Sequence, residues 1–281
     1  KFHYFDPSGA MQTGWHQENG DYYYLDAVDG SMATNWLFLN NIWYYMGSNG
    51  VMKTGFQTID NAKYYLAPNG AMLTGWNRIN DKRYYFHDNG QMALGFTTLG
   101  KDTFYFDESG VLTTGWNQLN KDWYYFDGNG VMQKGFVSFG ATTFYFDEVG
   151  KMAVGWKSID NNWYYFDENG YKRTGWLELK DAETNTNFWY YLDANGKMQT
   201  GWLGNQYLNP EGKLLTGWVQ VDGSWYYLNE ETGKTFGWLQ LEDIWYYFDT
   251  DGKMLANQTA TIDGVDYQFA PDGAWVTETP E

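Results

Sequence analysis

Pairs of tryptophan residues spaced seven apart are the feature of this sequence best suited to chemistry. The pairs are Trp36 and Trp43, Trp116 and Trp123, Trp156 and Trp163, Trp218 and Trp225, and Trp238 and Trp245. Several ring faces directed at one point present negative quadrupole to a cation, which suits a quaternary ammonium group that hydrogen bonds cannot satisfy. The spacing indicates aromatic cages for a cationic ligand, while the competing interpretation is that paired rings only fill a core.

Other segments keep the first aromatic residue of a pair and replace the second. Phe56 is followed by Lys63, Trp76 by Arg83, Phe96 by Thr103 and Phe136 by Thr143. A packing requirement should apply to every repeat, whereas a binding requirement need apply only to some. Lys63 and Arg83 would in addition repel a cationic ligand. The substitutions therefore favour a set of binding sites carried by only part of the chain.

Catalytic and metal chemistry find little support in the sequence. His3, His16 and His87 have neither metal-ligand spacing nor a motif that pairs them with a nucleophile. Cysteine is absent, and aspartates that follow the aromatic strands recur with the turns, which is typical of Asx turns. Neither a P-loop nor a dinucleotide-binding fingerprint occurs. We therefore expect a binding protein, not an enzyme, with no metal site and no cofactor.

A period of about 20 residues organises the chain. The aromatic residue of a Gly-Trp or Gly-Phe dipeptide, with Asn once in place of Gly, recurs at Trp15, Trp36, Phe56, Trp76, Phe96, Trp116, Phe136, Trp156, Trp176, Trp202, Trp218 and Trp238. One unit, from Gly115 to Lys134, reads as a strand over 115–119, a polar turn over 120–122, an aromatic strand over 123–127 and a turn over 128–130. Each unit is thus predicted to be a β-hairpin with its linker.

Tandem hairpins must stack, because a single hairpin is marginal in water and has to bury its aromatic face against its neighbours. The expected fold is an all-β solenoid that forms one module over residues 1–281, with an atypical capping hairpin over 255–281. Strand alternation places Trp163 and Tyr165 on one face and Tyr164 and Phe166 on the other. One face can form the core while the other remains available to a ligand.

The charge of the chain limits its partners. The formal net charge is -17 and the sequence pI is about 4.4, which argues against nucleic acid or an anionic membrane as the main partner. No window approaches the ~18 uninterrupted apolar residues of a membrane span, and no signal peptide is visible. A cationic or neutral ligand fits better.

Segments such as Thr114 to Phe126 and Thr174 to Trp176 resemble the choline-binding cell-wall repeats of streptococcal surface proteins and phage lysins. The resemblance extends over about residues 1 to 275. It implies a left-handed superhelix of β-hairpins, secreted and held at the extracellular surface of the bacterial cell wall. It also implies a partner, choline or phosphocholine on teichoic or lipoteichoic acid, and sites made by two tryptophans of one repeat and a tyrosine of the next.

Carried over residue by residue, the resemblance implies four choline sites. They are Trp36, Trp43 and Tyr65; Trp116, Trp123 and Tyr145; Trp156, Trp163 and Tyr191; and Trp218, Trp225 and Tyr247. Weaker candidates are Trp15, Tyr22 and Tyr45; Trp176, Trp189 and Tyr207; and Trp238 with Trp245, where Gln268 takes the third position. The tyrosine is expected on the same strand face as the tryptophan.

Three functions remain open at the level of sequence. The first is non-covalent anchoring to the cell wall, in which weak cages along one chain engage a polymer that repeats its ligand. The second is carbohydrate binding, because units such as Gly55 to Leu66 resemble glucan-binding repeats and the repeats of clostridial toxins. The third is an adhesin scaffold with no small ligand. Anchoring through choline is the preferred prediction.

Overall fold

Antiparallel β-hairpins make up all the regular structure of the residues described by the computed structural model, 1–181 and 183–276. The strands are β1 Gly14–Glu18, β2 Asp21–Leu25, β3 Asn35–Leu39, β4 Ile42–Met46, β5 Gly55–Ile59, β6 Ala62–Leu66, β7 Gly75–Ile79, β8 Lys82–Phe86, β9 Gly95–Leu99, β10 Asp102–Phe106, β11 Gly115–Leu119, β12 Asp122–Phe126, β13 Gly135–Phe139, β14 Thr142–Phe146, β15 Gly155–Ile159, β16 Asn162–Phe166, β17 Gly175–Lys180, β18 Asn187–Leu192, β19 Gly201–Leu203, β20 Gln206–Leu208, β21 Leu214–Leu215, β22 Gly217–Val221, β23 Ser224–Asn229, β24 Gly233–Lys234, β25 Gly237–Leu241, β26 Ile244–Phe248, β27 Gln258–Ile262 and β28 Val265–Phe269. Each sheet has two or three strands and stays open. The predicted all-β array of tandem hairpins is confirmed.

The hairpin of β11 and β12 shows how local sequence sets the register. Asn120 and Lys121 form its two-residue turn with φ of 51° and 76°, the positive values that match the twist of paired strands. The second strand ends one residue before Asp127, which was predicted to be its last residue. Asp127 instead turns the chain, because its Oδ1 accepts hydrogen bonds from the N–H of Asn129 at 2.8 Å and of Val131 at 2.9 Å.

Alternate residues of each second strand point into and away from the core. In β12, Tyr124 and Phe126 are buried, with Phe126 at 0 % exposure, whereas Trp123 is 40 % exposed. The last apolar residue of the second strand is almost fully buried, as seen for Leu25, Met46, Leu66, Phe86, Phe106, Phe126, Phe146, Phe166, Leu192, Leu208, Leu228, Phe248 and Phe269. The core therefore contains these side chains, and the predicted division into a core face and an available face is confirmed.

Backbone hydrogen bonds join each hairpin to the next. The N–H of Met72, in the linker after β6, donates to the carbonyl of Trp43 in β4 at 2.8 Å. The same bond recurs from Met92 to Lys63 at 2.7 Å. This bond fixes the linker residue beside the second residue of the preceding return strand.

A glycine in the next turn makes room for that linker side chain. Gly90 has a φ of 80°, and a Cβ atom there would collide with the Sδ atom of Met72. Both the left-handed backbone and the close approach require glycine. The recurring spacing of methionine and turn glycine is thus a packing relationship between neighbouring hairpins.

The chain divides into two compact units. The first contains residues 1–135 and 146–152, and the second contains 136–145 and 153–281. The first is built from regular 20-residue hairpins, while the second contains the long hairpin of β17 and β18 and the short one of β19 and β20. A single module over 1–281 stays a prediction.

The C-terminal hairpin is formed by β27 and β28, and Trp275 follows it in an isolated bridge with Phe269. Residues 277–281 of the predicted cap lie outside the described residues. Among the described residues, no helix is long and apolar enough to cross a membrane.

Candidate aromatic cages

Trp36 and Trp43 form two walls of an aromatic cage. Their ring centroids lie 6.2 Å apart with planes at 89°, and the ring of Tyr64 lies 4.9 Å from Trp36 at 64°. Met72 and Asn89 complete the lining of a cavity of about 300 Å³. Three rings at steep mutual angles surround one space, which is the arrangement expected for holding a cation by ring faces.

Three consecutive hairpins contribute to this site. Trp36 and Trp43 lie on β3 and β4, at register positions opposite Tyr45 and Phe38. Tyr64 and Met72 come from the next hairpin and its linker, and Asn89 comes from the turn after β8, in the hairpin beyond that. A ligand in this cage would therefore touch three successive repeats.

Two further cages repeat this plan. Trp218, Trp225, Tyr246 and Met254 line a cavity of about 410 Å³ together with Pro271 and Asp272. Its tryptophan rings are 6.3 Å apart, and Tyr246 lies 4.9 Å from Trp218. Trp15, Tyr22, Tyr44 and Met52 line a third cavity of about 330 Å³ with Pro68 and Asn69. The weaker candidate at Trp15 is therefore complete, with Tyr22 in place of the second tryptophan.

In these three cages the third ring lies one residue earlier than the sequence predicts. Tyr64 and not Tyr65 joins Trp36, because the face of a hairpin that meets the preceding hairpin is its buried face. Tyr65 lies on the opposite face and packs on Phe56 of its own hairpin, with centroids 4.8 Å apart. The prediction that the tyrosine shares the strand face of the tryptophan is wrong.

The same correction applies to Tyr45, Tyr191 and Tyr247, because Tyr44, Tyr190 and Tyr246 lie beside Trp15, Trp156 and Trp218 instead. All the predicted tyrosines pack on the first aromatic residue of their own hairpins: Tyr45 on Trp36 at 5.1 Å, Tyr145 on Phe136 at 5.0 Å, Tyr191 on Trp176 at 5.1 Å, Tyr207 on Trp202 at 4.9 Å and Tyr247 on Trp238 at 5.1 Å. For Tyr45 and Tyr247 that residue is Trp36 and Trp238, so these tyrosines pack against the first tryptophan of a pair.

The remaining strong candidates keep their tryptophans. Trp116 and Trp123 lie 6.3 Å apart at 79°. Trp156 has Tyr190 of the next hairpin at 5.0 Å, and Trp163 stands opposite Ser158 with 47 % of its side chain exposed. Burial raises the pKa of the Tyr190 phenol above its usual value, and the charge of Asp181 adds to the effect. Tyr190 thus stays neutral near pH 7.

The two other weak candidates differ from each other. At Trp176 and Trp189 the position equivalent to Tyr64 is Gln206, so this pair has no third ring of that kind. At Trp238 and Trp245, which are 6.2 Å apart, Tyr267 supplies the third ring at 4.8 Å from Trp238. The sequence analysis places Gln268 at the third position, but the third ring is supplied one residue earlier, by Tyr267.

Sequence reasoning missed two kinds of cage residue. The methionine lies eight residues after the third ring, as Met72 follows Tyr64 and Met254 follows Tyr246. Methionine recurs at this place with a period of about 20 residues, but nothing in the sequence assigns it to a cage. The turn residue, such as Asn89, comes from the second hairpin downstream, and only the stacking of hairpins shows that it reaches the site.

The chain matches two family models. A model described as a choline-binding repeat matches residues 1–37, 53–94, 73–113, 113–154 and 153–188. A model described as a putative cell wall binding repeat matches residues 34–52, 185–198, 216–231 and 237–254. No curated protein was found to match the chain.

Solved structures of choline-binding proteins share this architecture. Choline binding protein F from Streptococcus pneumoniae is 30 % identical, with 94 % of this chain and 98 % of that chain covered and a TM-score of 0.53. A structure of CbpF in complex with ipratropium, obtained by soaking, gives 30 % identity, the same coverage of 94 % and 98 %, and a TM-score of 0.52. CbpJ from Streptococcus pneumoniae is 26 % identical, with 98 % and 96 % covered and a TM-score of 0.53. The choline-binding repeat model accounts for more than half of the chain, and this chain therefore belongs to the choline-binding repeat family.

Proposed function

We propose that this protein attaches to the bacterial cell wall without covalent bonds, by holding the choline groups of teichoic or lipoteichoic acid in its aromatic cages. The observation that carries the proposal is the cage in which Trp36, Trp43 and Tyr64 surround a cavity of about 300 Å³. A trimethylammonium group has no N–H to donate, so ring faces are the partners that stabilise it best.

The polar groups of the cages agree with this ligand. Asn89, Asn69 and Asp272 line the three cavities, and no lysine or arginine is among their lining residues. The net charge of -17 favours the ammonium group of phosphocholine over its phosphate. The phosphate end is therefore expected to project into solvent, where the polymer continues.

Single cages of this kind bind weakly. Each ring contributes about 0.5 to 2 kcal/mol, so one cage reaches a Kd of about 1 mM, or roughly -4 kcal/mol. Several cages on one chain raise the overall affinity by orders of magnitude when the ligand is itself a repeating polymer. Attachment would then be strong to the wall polymer and reversible by free choline.

The relatives support the chemistry and the location. CbpF has been solved with ipratropium, whose charged group is a quaternary ammonium, and in the presence of a peptidoglycan analogue. The match to a cell wall binding repeat model agrees with a place at the wall. We extend this to an extracellular location on the wall surface, with teichoic acid choline as the partner.

Retention on a tertiary-amine resin tests the proposal, provided that ordinary ion exchange is suppressed. Because the net charge is -17, the chain binds such a resin at low salt whether or not it has cages. At about 1 M salt the Debye length falls to about 3 Å and ion exchange is screened. We expect retention under these conditions and elution by choline chloride but not by equimolar sodium chloride. Flow-through on the amine resin combined with binding to dextran would instead support a carbohydrate ligand.

A further inference from the structure

Several incomplete cages hold a cation that belongs to the chain itself. The guanidinium carbon of Arg83 lies 4.8 Å from the ring centroid of Trp76. The ammonium of Lys234 lies 4.2 Å from the ring centroid of Trp202 and 5.4 Å from that of Tyr226. These distances are those at which a ring face attracts a cation. The internal cations thus take the kind of contact that an ammonium ligand makes in a complete cage.

Arg83 comes from the position of the missing second tryptophan. It is equivalent to Trp43, since the N–H of Leu112 donates to its carbonyl at 2.9 Å as the N–H of Met72 does to Trp43 at 2.8 Å. The third ring is also in place, because Phe104 lies 5.0 Å from Trp76. Only the second indole of this cage is absent, and a charged side chain stands in its position.

Arg83 also contacts the turn equivalent to the one that contributes Asn89 to the complete cage. Its Nη1 donates to the carbonyl of Asn129 at 3.1 Å, in the turn of the second hairpin downstream. Lys63 does the same one repeat earlier, with its Nζ donating to the carbonyl of Glu108 at 2.8 Å. In the complete cage that place belongs to Asn89. Each of these cations therefore spans the same three hairpins as a bound ligand would.

In another incomplete cage the internal cation replaces the linker methionine and not the second tryptophan. Lys234 occupies the position of the linker methionine, and its N–H donates to the carbonyl of Asn205 at 2.8 Å. The ammonium of Lys234 contacts the rings of Trp202 and Tyr226. In the complete cage the equivalent side chain is Met72, which lines the cavity together with Trp36 and Tyr64. Lys172 repeats this placement, with its Nζ 5.4 Å from the ring centroid of Phe136.

We propose that Arg83 and Lys234 are tethered internal ligands that fill their cages and exclude external ammonium ligands, and that these two cations and Lys63 fasten neighbouring hairpins together. This deepens the proposed function and rests on it, because it states which cages of the array are closed to choline. Lysine and arginine suit the role since their N–H groups bond to turn carbonyls that a quaternary ammonium cannot use. An internal cation stabilises the packing of its neighbouring hairpins in the absence of ligand. Hairpins that form a complete cage gain the corresponding stabilisation only when a ligand is bound.

Substitutions of two cations in one strand test the fastening. Arg83→Ala removes the internal cation, and Lys82→Ala is the matched control, because Lys82 is an exposed cation of the same strand and stands opposite Ile79. Without choline, we expect Arg83→Ala to lower the Tm by about 2 to 4 °C and Lys82→Ala to leave it unchanged. Equal Tm values for the two variants would overturn the fastening role. This comparison needs no ligand, so it holds even if the wild-type chain fails to bind choline.

A gain of binding tests the exclusion. Arg83→Trp restores the second indole above Trp76 and Phe104, and calorimetric titration is expected to show one more bound choline than the wild type. Lys234→Met is the independent variant, with Lys253→Met as control because the Lys253 ammonium pairs with Asp251 at 3.8 Å. The methyl signal of the new methionine at 234 should shift with tetramethylammonium chloride, and the one at 253 should not. An unchanged choline number in folded Arg83→Trp, or a methyl at 234 that does not respond, would overturn the exclusion.

Discussion

Tyr64 rests against Trp36 of the preceding hairpin with ring centroids 4.9 Å apart, while its neighbour Tyr65 faces the other way and packs on Phe56 at 4.8 Å. Tyr64 is also part of the buried face, with 9 % of its side chain exposed. The third ring of the cage is thus a core residue. Because the hairpin stack already holds it, the cage is formed before a ligand arrives and little conformational entropy is lost on binding.

The second tryptophan of a pair is expected to be required for binding but not for folding. Trp123 is 40 % exposed, so Trp123→Ala removes a cage wall without opening the core. We expect the number of bound cholines, measured by calorimetric titration, to fall by one. Thr103→Ala is the control, because Thr103 occupies the same position in an incomplete cage and its hydroxyl shares a hydrogen bond with that of Thr98 at 3.2 Å. A similar loss in both variants would indicate a structural effect.

Neighbouring tyrosines should separate binding from support. Tyr64→Leu removes one cage ring, and a contribution of about 0.5 to 2 kcal/mol per ring corresponds to a Kd about 2- to 30-fold weaker at that cage. Tyr65→Leu is expected to lower stability by loss of its contact with Phe56 and to leave the Kd at the cage unchanged. The methyl signal of Met72, which lines this cavity, reports the Kd in a choline titration followed by NMR. Weakening by Tyr65→Leu alone would restore the tyrosine first predicted from the sequence.

Asp272 should make the cage of Trp218 more selective for a bare ammonium. It lines that cavity at the place where Asn89 and Asn69 line the other two. An exposed carboxylate attracts the ammonium and repels the phosphate by about 0.2 to 1 kcal/mol, so choline should bind about 1.4- to fivefold more tightly than phosphocholine there. The methyl signal of Met254 provides the measurement. Asp272→Asn should remove the preference, and a preference that survives this substitution and high salt would contradict the role of the charge.

Trp275 is expected to close the last cage. Its backbone N–H donates to the carbonyl of Trp245 at 2.8 Å, which is the bond that the linker methionine makes in other repeats. Its ring lies 5.7 Å from Trp238 and 5.5 Å from Tyr267, in the space that stays open above Met72 in the cage of Trp36.

Trp275→Met should therefore add one bound choline, as counted by calorimetric titration. Val276→Met, at an exposed neighbouring position, is the control and should add none. If Trp275→Met instead loses a choline, the indole is a cage wall and not a plug.

The sequence predicts the hairpins well because every turn is encoded locally. The tight turn is formed by Asn120 and Lys121 at positive φ. The wider turn is held by hydrogen bonds from nearby N–H groups to the carboxylate of Asp127. The third cage ring depends on which face of one hairpin meets the next, and Tyr64 and Tyr65 are equally aromatic. No local signal distinguishes them. Asn89 is harder still, because it reaches the cage from two hairpins away.

The response of individual methionines to choline tests the central claim most directly. Met52, Met72 and Met254 line the three cavities. Met92 and Met132 are the equivalent methionines of incomplete cages, because their backbone N–H groups donate to the carbonyls of Lys63 and Thr103, which stand in place of the second tryptophan. In protein labelled with ¹³C at the methionine methyl groups, choline should shift the first three signals in a saturable way and leave the signals of Met92 and Met132 in place. Equal shifts at all five methionines, or none at any of them, would contradict the assignment of choline to the complete cages.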